Sequence, residues 1–280
     1  MAKVLAYLGP PGTFTEAAAI RYDGSAQLMP LMSIFAVGAA VRSGMAQEGM
    51  VPIENSLEGS VNDTLDLLIN ERALCLRYEL AMPIEHCLLV RPGTKAADIQ
   101  AVYSHPQALG QCRSFIERCF PKAQVIAAMS TVAAVEEVKS SSGISAAIAP
   151  ERAAHLHGME ILARGIQESP NNMTRFVVLS TQDHPPTGED KTSLCFSFAD
   201  DKAGLLYSVM GEFALRGINL TKVESRPTKE SLGRYIFLVD LEGHREDPLV
   251  KEALNGVGKM VSNLRLFGSY PRWRTSLTNQ

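Results

Sequence analysis

Two rhythms of hydrophobic and polar positions divide the 280-residue chain. Upstream of about residue 183, short apolar runs of strand length alternate with stretches of helical spacing. Residues 3–8 read as a strand; after Gly9-Pro10-Pro11-Gly12 a helix is predicted over about 14–22. Further strands are predicted near 26–31, 49–53, 84–90, 101–104, 123–127 and 146–149, with helices between most of them. Leu109, Cys112, Phe115, Ile116, Cys119 and Phe120 follow helical spacing. Such alternation implies an α/β fold with a mostly parallel sheet. Sheets of that kind bind ligands at the carboxyl ends of their strands.

From residue 191 the rhythm changes. Residues 192–199 alternate and place Leu194, Phe196 and Phe198 on one face of a strand. Asp200 and Asp201 offer an N-cap to a helix with the apolar stripe Leu206, Val209, Met210 and Phe213, and Gly217 stands where a C-cap is wanted. Strands over about 218–226 and 233–241 follow. Asp247-Pro248 opens a second helix, with Leu249, Val250, Ala253, Leu254 and Val257 apolar, and a last strand covers about 263–269. The order β-α-β-β-α-β is a ferredoxin-like unit. Residues 183–190, with two prolines, a glycine and four ionisable side chains, have the composition of a linker.

Hydrophobic residues make up 46% and charged residues 20%, a composition that builds a core and excludes a disordered chain. No apolar run approaches the roughly 18 residues of a membrane span. The first residues enter a strand-like run without a signal-peptide hydrophobic region, so a cytoplasmic chain is expected. Residues 1–189 carry 14 basic and 19 acidic side chains, net −5; residues 190–280 carry 13 and 11, net +2. Neither part has the basic face that nucleic acid requires. An anion bound by the first part has to be held by local donors. Cys75, Cys87, Cys112, Cys119 and Cys195 are odd in number and form no Cys-x-x-Cys pair, which fits a reduced setting. The histidines show no metal-ligand spacing (His155 and His157 are two apart, off a common helical face), so no metal is expected.

Four polar segments follow predicted strands or precede one. Gly9–Glu16 is a strand–helix turn, either plain or the wall of a cleft that faces a carboxylate through free backbone N–H groups. It lacks the Gly-Lys-Ser/Thr of a phosphate loop. Residues 54–60 place five polar side chains and a glycine before the next helix, more than capping alone needs. Residues 104–112, Ser-His-Pro-Gln-Ala-Leu-Gly-Gln-Cys, again join a short strand to a helix start, with Pro106 suited to the first turn. Residues 171–176, Asn-Asn-Met-Thr-Arg-Phe, lead into the apolar run 177–179. Together they suggest one cleft lined by hydroxyls, amides, an arginine and helix starts. That equipment suits an oxygen-rich organic anion and chemistry without a cofactor.

These segments, in this order, resemble the prephenate dehydratase family, and Gly217-Ile-Asn-Leu-Thr-Lys-Val-Glu224-Ser-Arg-Pro227 resembles the ACT regulatory domain. The resemblance covers about residues 3–272. It implies a carbon–oxygen lyase that converts prephenate to phenylpyruvate, water and carbon dioxide in phenylalanine synthesis. It implies a two-lobed, periplasmic-binding-protein-like α/β catalytic domain over 1–182, with lobe one at about 1–78 and 169–182 and lobe two at about 79–168. Residues 183–190 would be the linker and 191–280 the ferredoxin-like ACT domain. A homodimer or homotetramer is implied, in which L-phenylalanine binds the ACT domain at a subunit interface and shuts the enzyme down.

The resemblance singles out Thr174 as the essential threonine. A hydroxyl is a weak acid, so its expected part is a hydrogen bond to the departing oxygen, with Glu54 and His105 as alternative proton donors. Arg175 or helix-start N–H groups are expected to hold a carboxylate. Asn55, Ser56, Ser104, His105, Gln107, Asn172 and Phe176 would complete the substrate cleft. For the effector the match points to Gly204, Leu206, Asn219, Leu220, Glu224, Ser225 and Arg226. The chain departs from the family's Asp-Lys-Pro-Gly-Ala-Leu pattern, with Ala203 for proline and the bulkier Leu205 for alanine. Two other readings remain at this point: an arogenate dehydratase, and a non-catalytic amino-acid sensor.

Overall fold

The computed structural model describes residues 2–200, 202–228 and 233–274. In chain order come β1 (Val4–Leu8), α1 (Phe14–Tyr22), β2 (Gln27–Leu31), α2 (Ile34–Arg42), β3 (Glu48–Asn55), β4 (Gly59–Ser60), α3 (Asn62–Asn70) and β5 (Cys75–Pro83). Next are β6 (Cys87–Val90), β7 (Ala101–Ser104), α4 (Pro106–Gln111), α5 (Arg113–Cys119), β8 (Gln124–Ala127) and α6 (Thr131–Ser140). They lead to β9 (Ser145–Ala149), α7 (Glu151–His157), β10 (Glu160–Ala163) and β11 (Met173–Ser180). The last region holds β12 (Asp190–Ser197), α8 (Leu205–Ala214), β13 (Leu220–Pro227), β14 (Tyr235–Glu242), α9 (Pro248–Gly258) and β15 (Asn263–Pro271).

The first sheet has the order β2-β1-β3-β11-β5, with β4 paired to β3; the second runs β10-β6-β9-β7-β8. In the second, β7 is parallel to β8 and β9, whereas β6 is antiparallel to β9 and β10. The sheet is therefore mixed, not mostly parallel. The short connection 91–100 between β6 and β7 is too brief for the helical crossover that joins parallel strands. All four residues of β6 are buried. Cys87 and Leu89 join one core cluster and Leu88 and Val90 the other, because successive strand residues face opposite sides. Helices cover both faces, as continuous apolar runs require.

Contacts divide the residues into two compact units, one of residues up to 37, 50–61 and 81–176, the other of the remainder. Strands β3, β5 and β11 pass from one into the other. Within the second unit the sheet β13-β14-β12-β15 packs α8 and α9 on one face, with Leu194, Phe196, Val239 and Leu241 against Val209, Phe213 and Val257. The β-α-β-β-α-β order is as the spacing predicts. On the other face, Arg265 of β15 donates to the carbonyls of Leu68, Glu71 and Leu74, placing a cation at the C-terminal end of α3.

Several local expectations change. The apolar spacing over 109–120 is two helices, broken at Cys112. Strands β5 and β10 were not predicted. Helix α8 starts at Leu205, and its N-cap is Gly204 at φ +88°, not Asp200; Asp201 lies outside the described residues. Gly217 caps the helix end as expected, at φ +67°, with its N–H on the Ala214 carbonyl at 3.1 Å and the Ile218 N–H on the Phe213 carbonyl at 3.0 Å.

Gly268 of β15 has φ +147°, and a Cβ there would meet the Leu76 carbonyl oxygen at 2.3 Å and the Leu76 nitrogen at 2.9 Å. Both are backbone atoms, which have little room to give. Gly268→Ala is expected to destabilise by about 2 kcal/mol or more, lowering Tm by roughly 4–8 °C in a thermal melt. An unchanged Tm would contradict this packing.

Candidate active site

Within the first unit lies a cavity of about 400 Å³. Thr13, Phe14 and Thr15 line it from the start of α1, Asn55 and Val61 from the end of β3 and the loop beyond, and Gln107 and Gln111 from α4. Ser130 and Thr131 reach it from the start of α6, Ile84 and His86 from the β5–β6 connection, and Thr174 and Phe176 from β11. All four polar segments of the sequence contribute. The α6 start was not anticipated.

Local chemistry places these groups. Thr13 caps α1, accepting from the Glu16 N–H at 3.3 Å. Ser130 caps α6, accepting from the Ala133 N–H at 2.9 Å. His105 caps α4, its Nδ1 accepting from the Gln107 N–H at 3.3 Å, with Pro106 in the first turn. Gly12 sits at φ +94°, and a Cβ there would meet Val132 at 3.3 Å and Ala153 at 3.4 Å, so the turn needs glycine. Buried Glu16 ties the turn down: it accepts from the Gly12 N–H at 2.8 Å and the Tyr7 hydroxyl at 3.3 Å, and pairs with Arg152.

The centre of the site is a chain of buried amides. Asn55 Oδ1 accepts from the backbone N–H groups of Leu57 at 3.0 Å and Glu58 at 3.1 Å. Backbone N–H groups can only donate, so the Asn55 amide orientation is determined. Its NH₂ then faces three acceptors: Asn172 Oδ1 at 2.7 Å, Thr174 Oγ1 at 2.9 Å and the Met173 carbonyl at 3.2 Å. Asn172 in turn donates to Gln111 Oε1 at 2.8 Å. Gln111 Oε1 also faces His86 Nε2 at 3.0 Å, and its own NH₂ donates to the Glu58 carboxylate at 3.4 Å. A carboxylate accepts only, so the far end of the chain is oriented independently. Thr174 oxygen thus receives a hydrogen bond, and its O–H remains available to donate.

Other expected residues lie elsewhere. Ser104 is buried in β7 and donates to the Ile148 carbonyl at 2.6 Å, a sheet-bracing bond away from the cavity. Ser56 stitches the loop to β11, donating to the Asn171 carbonyl at 3.3 Å and accepting from the Met173 N–H at 2.9 Å. Asn172 is buried within the amide chain, behind the lining. Arg175 places its guanidinium 3.2 Å from the Glu54 carboxylate. Strand alternation explains this: Thr174 and Phe176 share one face of β11, and Arg175 takes the other. Gln111, His86, Ser130 and Thr131 were missed. Gln111 stood within a quoted motif, but its role depends on chain-distant Asn172.

Among the described residues no lysine or arginine lines the cavity, and no group of His, Cys, Asp and Glu is placed to hold a metal. All five cysteines are free. Burial pushes the thiols of Cys87 and Cys112 up to about 11 and about 12, which disarms them as nucleophiles. No described helix is long and apolar enough to cross a membrane. The expected effector residues divide. Gly204 and Leu206 border a cavity of about 530 Å³ in the second unit, together with Leu205, Phe198 and Arg234. Asn219 accepts the Glu242 N–H at 2.9 Å through its backbone carbonyl. Leu220, Glu224, Ser225 and Arg226 pair along β13 with β14. The Glu224 side chain meets Lys222 at 3.1 Å, and Arg226 reaches Asp66 of α3 at 2.9 Å.

A model of the family described as "Prephenate dehydratase" matches residues 5–184, and one described as "ACT domain" matches residues 195–259. A prephenate dehydratase of Mycolicibacterium vanbaalenii is 41% identical, over 95% of this chain and 90% of its own length. A crystal structure of prephenate dehydratase from Arthrobacter aurescens in complex with L-Phe is similar at a TM-score of 0.89 and 36% identity, covering 96% of this chain and 90% of that one. The structure of GqqA, described as "a novel type of quorum quenching acylases", is similar at a TM-score of 0.87 and 32% identity, covering 97% of this chain and 98% of that one.

Burial by itself would raise the Glu16 pKa, but the Arg152 pair, the Gly12 N–H and the Tyr7 hydroxyl hold it below the usual 4.5. Its stabilising contribution is therefore complete above the unfolded value and is lost as pH falls through the lower folded value. Wild type is expected to melt above Glu16→Gln at pH 7, with the gap closing from about pH 4.5 downward. A gap that persists unchanged to pH 3 would contradict the ion pair.

Proposed function

Since the chain belongs to the prephenate dehydratase family and carries an ACT domain in its C-terminal region, we propose that it is a carbon–oxygen lyase that converts prephenate to phenylpyruvate. One ring carboxylate leaves as carbon dioxide. Its bonding electrons enter the ring, the ring carbon–oxygen bond breaks, and the departing hydroxide takes up a proton that comes from solvent to become water. The ring becomes aromatic, so the driving force is in the substrate. The site has to hold a dianion and help the hydroxyl leave.

Asn55 supports this reading most directly, because its N–H fills a lone pair of Thr174 at 2.9 Å and leaves the threonine O–H to donate. Thr174 donates to the departing oxygen; positioned donors of this kind contribute about 10²–10⁴-fold. With Arg175 engaged by Glu54, the carboxylates fall to the N–H groups at the starts of α1 and α6, which both border the cavity. Gln107, His105 and Phe176 shape the remaining wall. Functionally the chain divides at 183–190, with the catalytic domain before it and the ACT domain after it. L-phenylalanine is the effector, acting by population shift in a cytoplasmic homodimer or homotetramer. Fold alone does not decide chemistry, and a similar chain is described as an acylase. The amide chain behind Thr174 favours the dehydratase.

Purified protein with prephenate is expected to form phenylpyruvate, read by absorbance, and to do so faster than with arogenate; no phenylpyruvate would overturn the proposal. Thr174→Ala is expected to keep its Tm and lose about 10²–10⁴-fold in kcat. Retention within about threefold would remove Thr174 from the chemistry. Millimolar phenylalanine is expected to inhibit wild type. Leu205→Ala, which opens the 530 Å³ cavity, is expected to lower the half-inhibitory concentration severalfold. Flat activity against phenylalanine in both would defeat the effector assignment.

A further inference from the structure

Glu16, Glu54, Glu58 and Glu85 adjoin the cavity lining. Glu54 precedes Asn55, Glu85 lies between Ile84 and His86, Glu58 accepts from Gln111 at 3.4 Å, and Glu16 follows Thr15. Glu58 and Glu85 are exposed, where water and salt screen their charge. Glu54 has the Arg175 guanidinium at 3.2 Å. Glu16 is different, because it is only 6% exposed. It stands in the first turn of α1, next to the lining residues Thr13, Phe14 and Thr15, where little water intervenes and a charge is felt further. Its carboxylate accepts from the Gly12 N–H at 2.8 Å and the Tyr7 hydroxyl at 3.3 Å and pairs with Arg152. Arg152 comes from α7, whose Ala153 shares a core cluster with Val132 of α6. Gly12 packs closely against both of those residues, which brings the α1 turn to the guanidinium.

With no lysine or arginine in the lining among the described residues, a carboxylate in the wall has no cation of the cavity to offset it. We propose that Arg152 is a positioning residue of this site: by neutralising Glu16 it keeps the α1 wall free of a negative charge that would repel a dianionic substrate. This deepens the dehydratase reading above and rests on it. Neither Glu16 nor Arg152 lines the cavity, so the effect is carried by charge and not by contact. The turn that presents Thr13 and Thr15 uses the Glu16 carboxylate to satisfy the Gly12 N–H, so the local fold installs an anion there and a cation has to cancel it. A guanidinium suits that task, since it stays charged at every working pH. The substrate keeps its total charge up to the transition state. Repulsion from an unpaired Glu16 therefore weighs on ground and transition state alike, and it is read in KM and not in kcat.

Three variants break the ion pair and leave different charges behind. Arg152→Gln leaves an uncompensated carboxylate, Glu16→Gln leaves an uncompensated guanidinium, and the double variant leaves neither. In the last two the new amide oxygen still accepts the Gly12 N–H. Steady-state kinetics with prephenate at pH 8, where the Gly12 and Tyr7 hydrogen bonds keep Glu16 ionised, separate charge from structure. Arg152→Gln is expected to raise KM at least about tenfold with kcat within about threefold. Glu16→Gln is expected to lower KM at least about twofold, and the double variant to return it to within about threefold of wild type. A KM that rises alike in all three, as loss of a merely structural tie would give, or a wild-type KM in Arg152→Gln would overturn the proposal. Should Arg152→Gln not fold, Glu16→Gln decides by its sign: a lowered KM supports the proposal, and an unchanged or raised one overturns it. Wild type that forms no phenylpyruvate overturns the dehydratase reading and this proposal with it, whereas an active wild type with an unimpaired Arg152→Gln overturns this proposal alone.

Discussion

Two backbone N–H groups, those of Leu57 and Glu58, fix the direction of the amide chain at its Asn55 end. They bind Asn55 Oδ1, so the Asn55 amide has one orientation, and Asn172, Gln111 and His86 follow in turn. The Glu58 carboxylate and the Met173 carbonyl, acceptors only, demand the same direction from other points of the chain. Turning the Asn55 amide over would set donor against donor at both backbone groups and leave buried acceptors unfilled, at about 1–3 kcal/mol for each orphan. The result is a threonine whose oxygen accepts the Asn55 N–H and whose own O–H is left to donate. In the proposed reaction so weak an acid would depend on that preorganisation, with the donor aimed before charge develops.

The fold serves this arrangement by bringing strand ends and helix starts from distant stretches of chain to one place. Asn55 ends β3, Thr174 opens β11, Gln111 ends α4 and His86 precedes β6. Asn55 and Thr174 have short side chains on sheet strands, so little of their freedom remains to be lost on binding. In the second unit the sheet β13-β14-β12-β15 grips α3 through Arg226 and Arg265.

Much of the fold was legible because it is written locally. Helix α1 occupies the predicted 14–22, and β7 the predicted 101–104. The second unit's alternation of Leu194 and Phe196 and its helical stripes need only near neighbours to be read. Strand β5 escaped because Arg77 and Glu79 interrupt its apolar pattern; Glu79 is buried where Lys191, 112 residues away, meets it at 2.7 Å and the Trp273 N–H donates to it at 3.0 Å. The site was legible as four segments and less so as individual side chains. Period-two alternation could have placed Arg175 opposite Thr174, and it could have turned Ser104 inward. His86 carries no such signal: a lone histidine among apolar residues is tied to the site only through Gln111, distant in the chain. The family resemblance pointed to Thr174, and the geometry adds the Asn55 N–H that fills its oxygen.

Neutron diffraction from crystals of the deuterated protein tests the direction of the amide chain most directly, since it locates the hydrogens themselves. Deuterium is predicted on the Asn55 amide nitrogen facing Thr174 Oγ1, on His86 Nε2 and not on Nδ1, and on Thr174 Oγ1 pointing into the cavity. A Thr174 deuterium lying between Oγ1 and Asn55, or a deuterium on His86 Nδ1, would contradict the account.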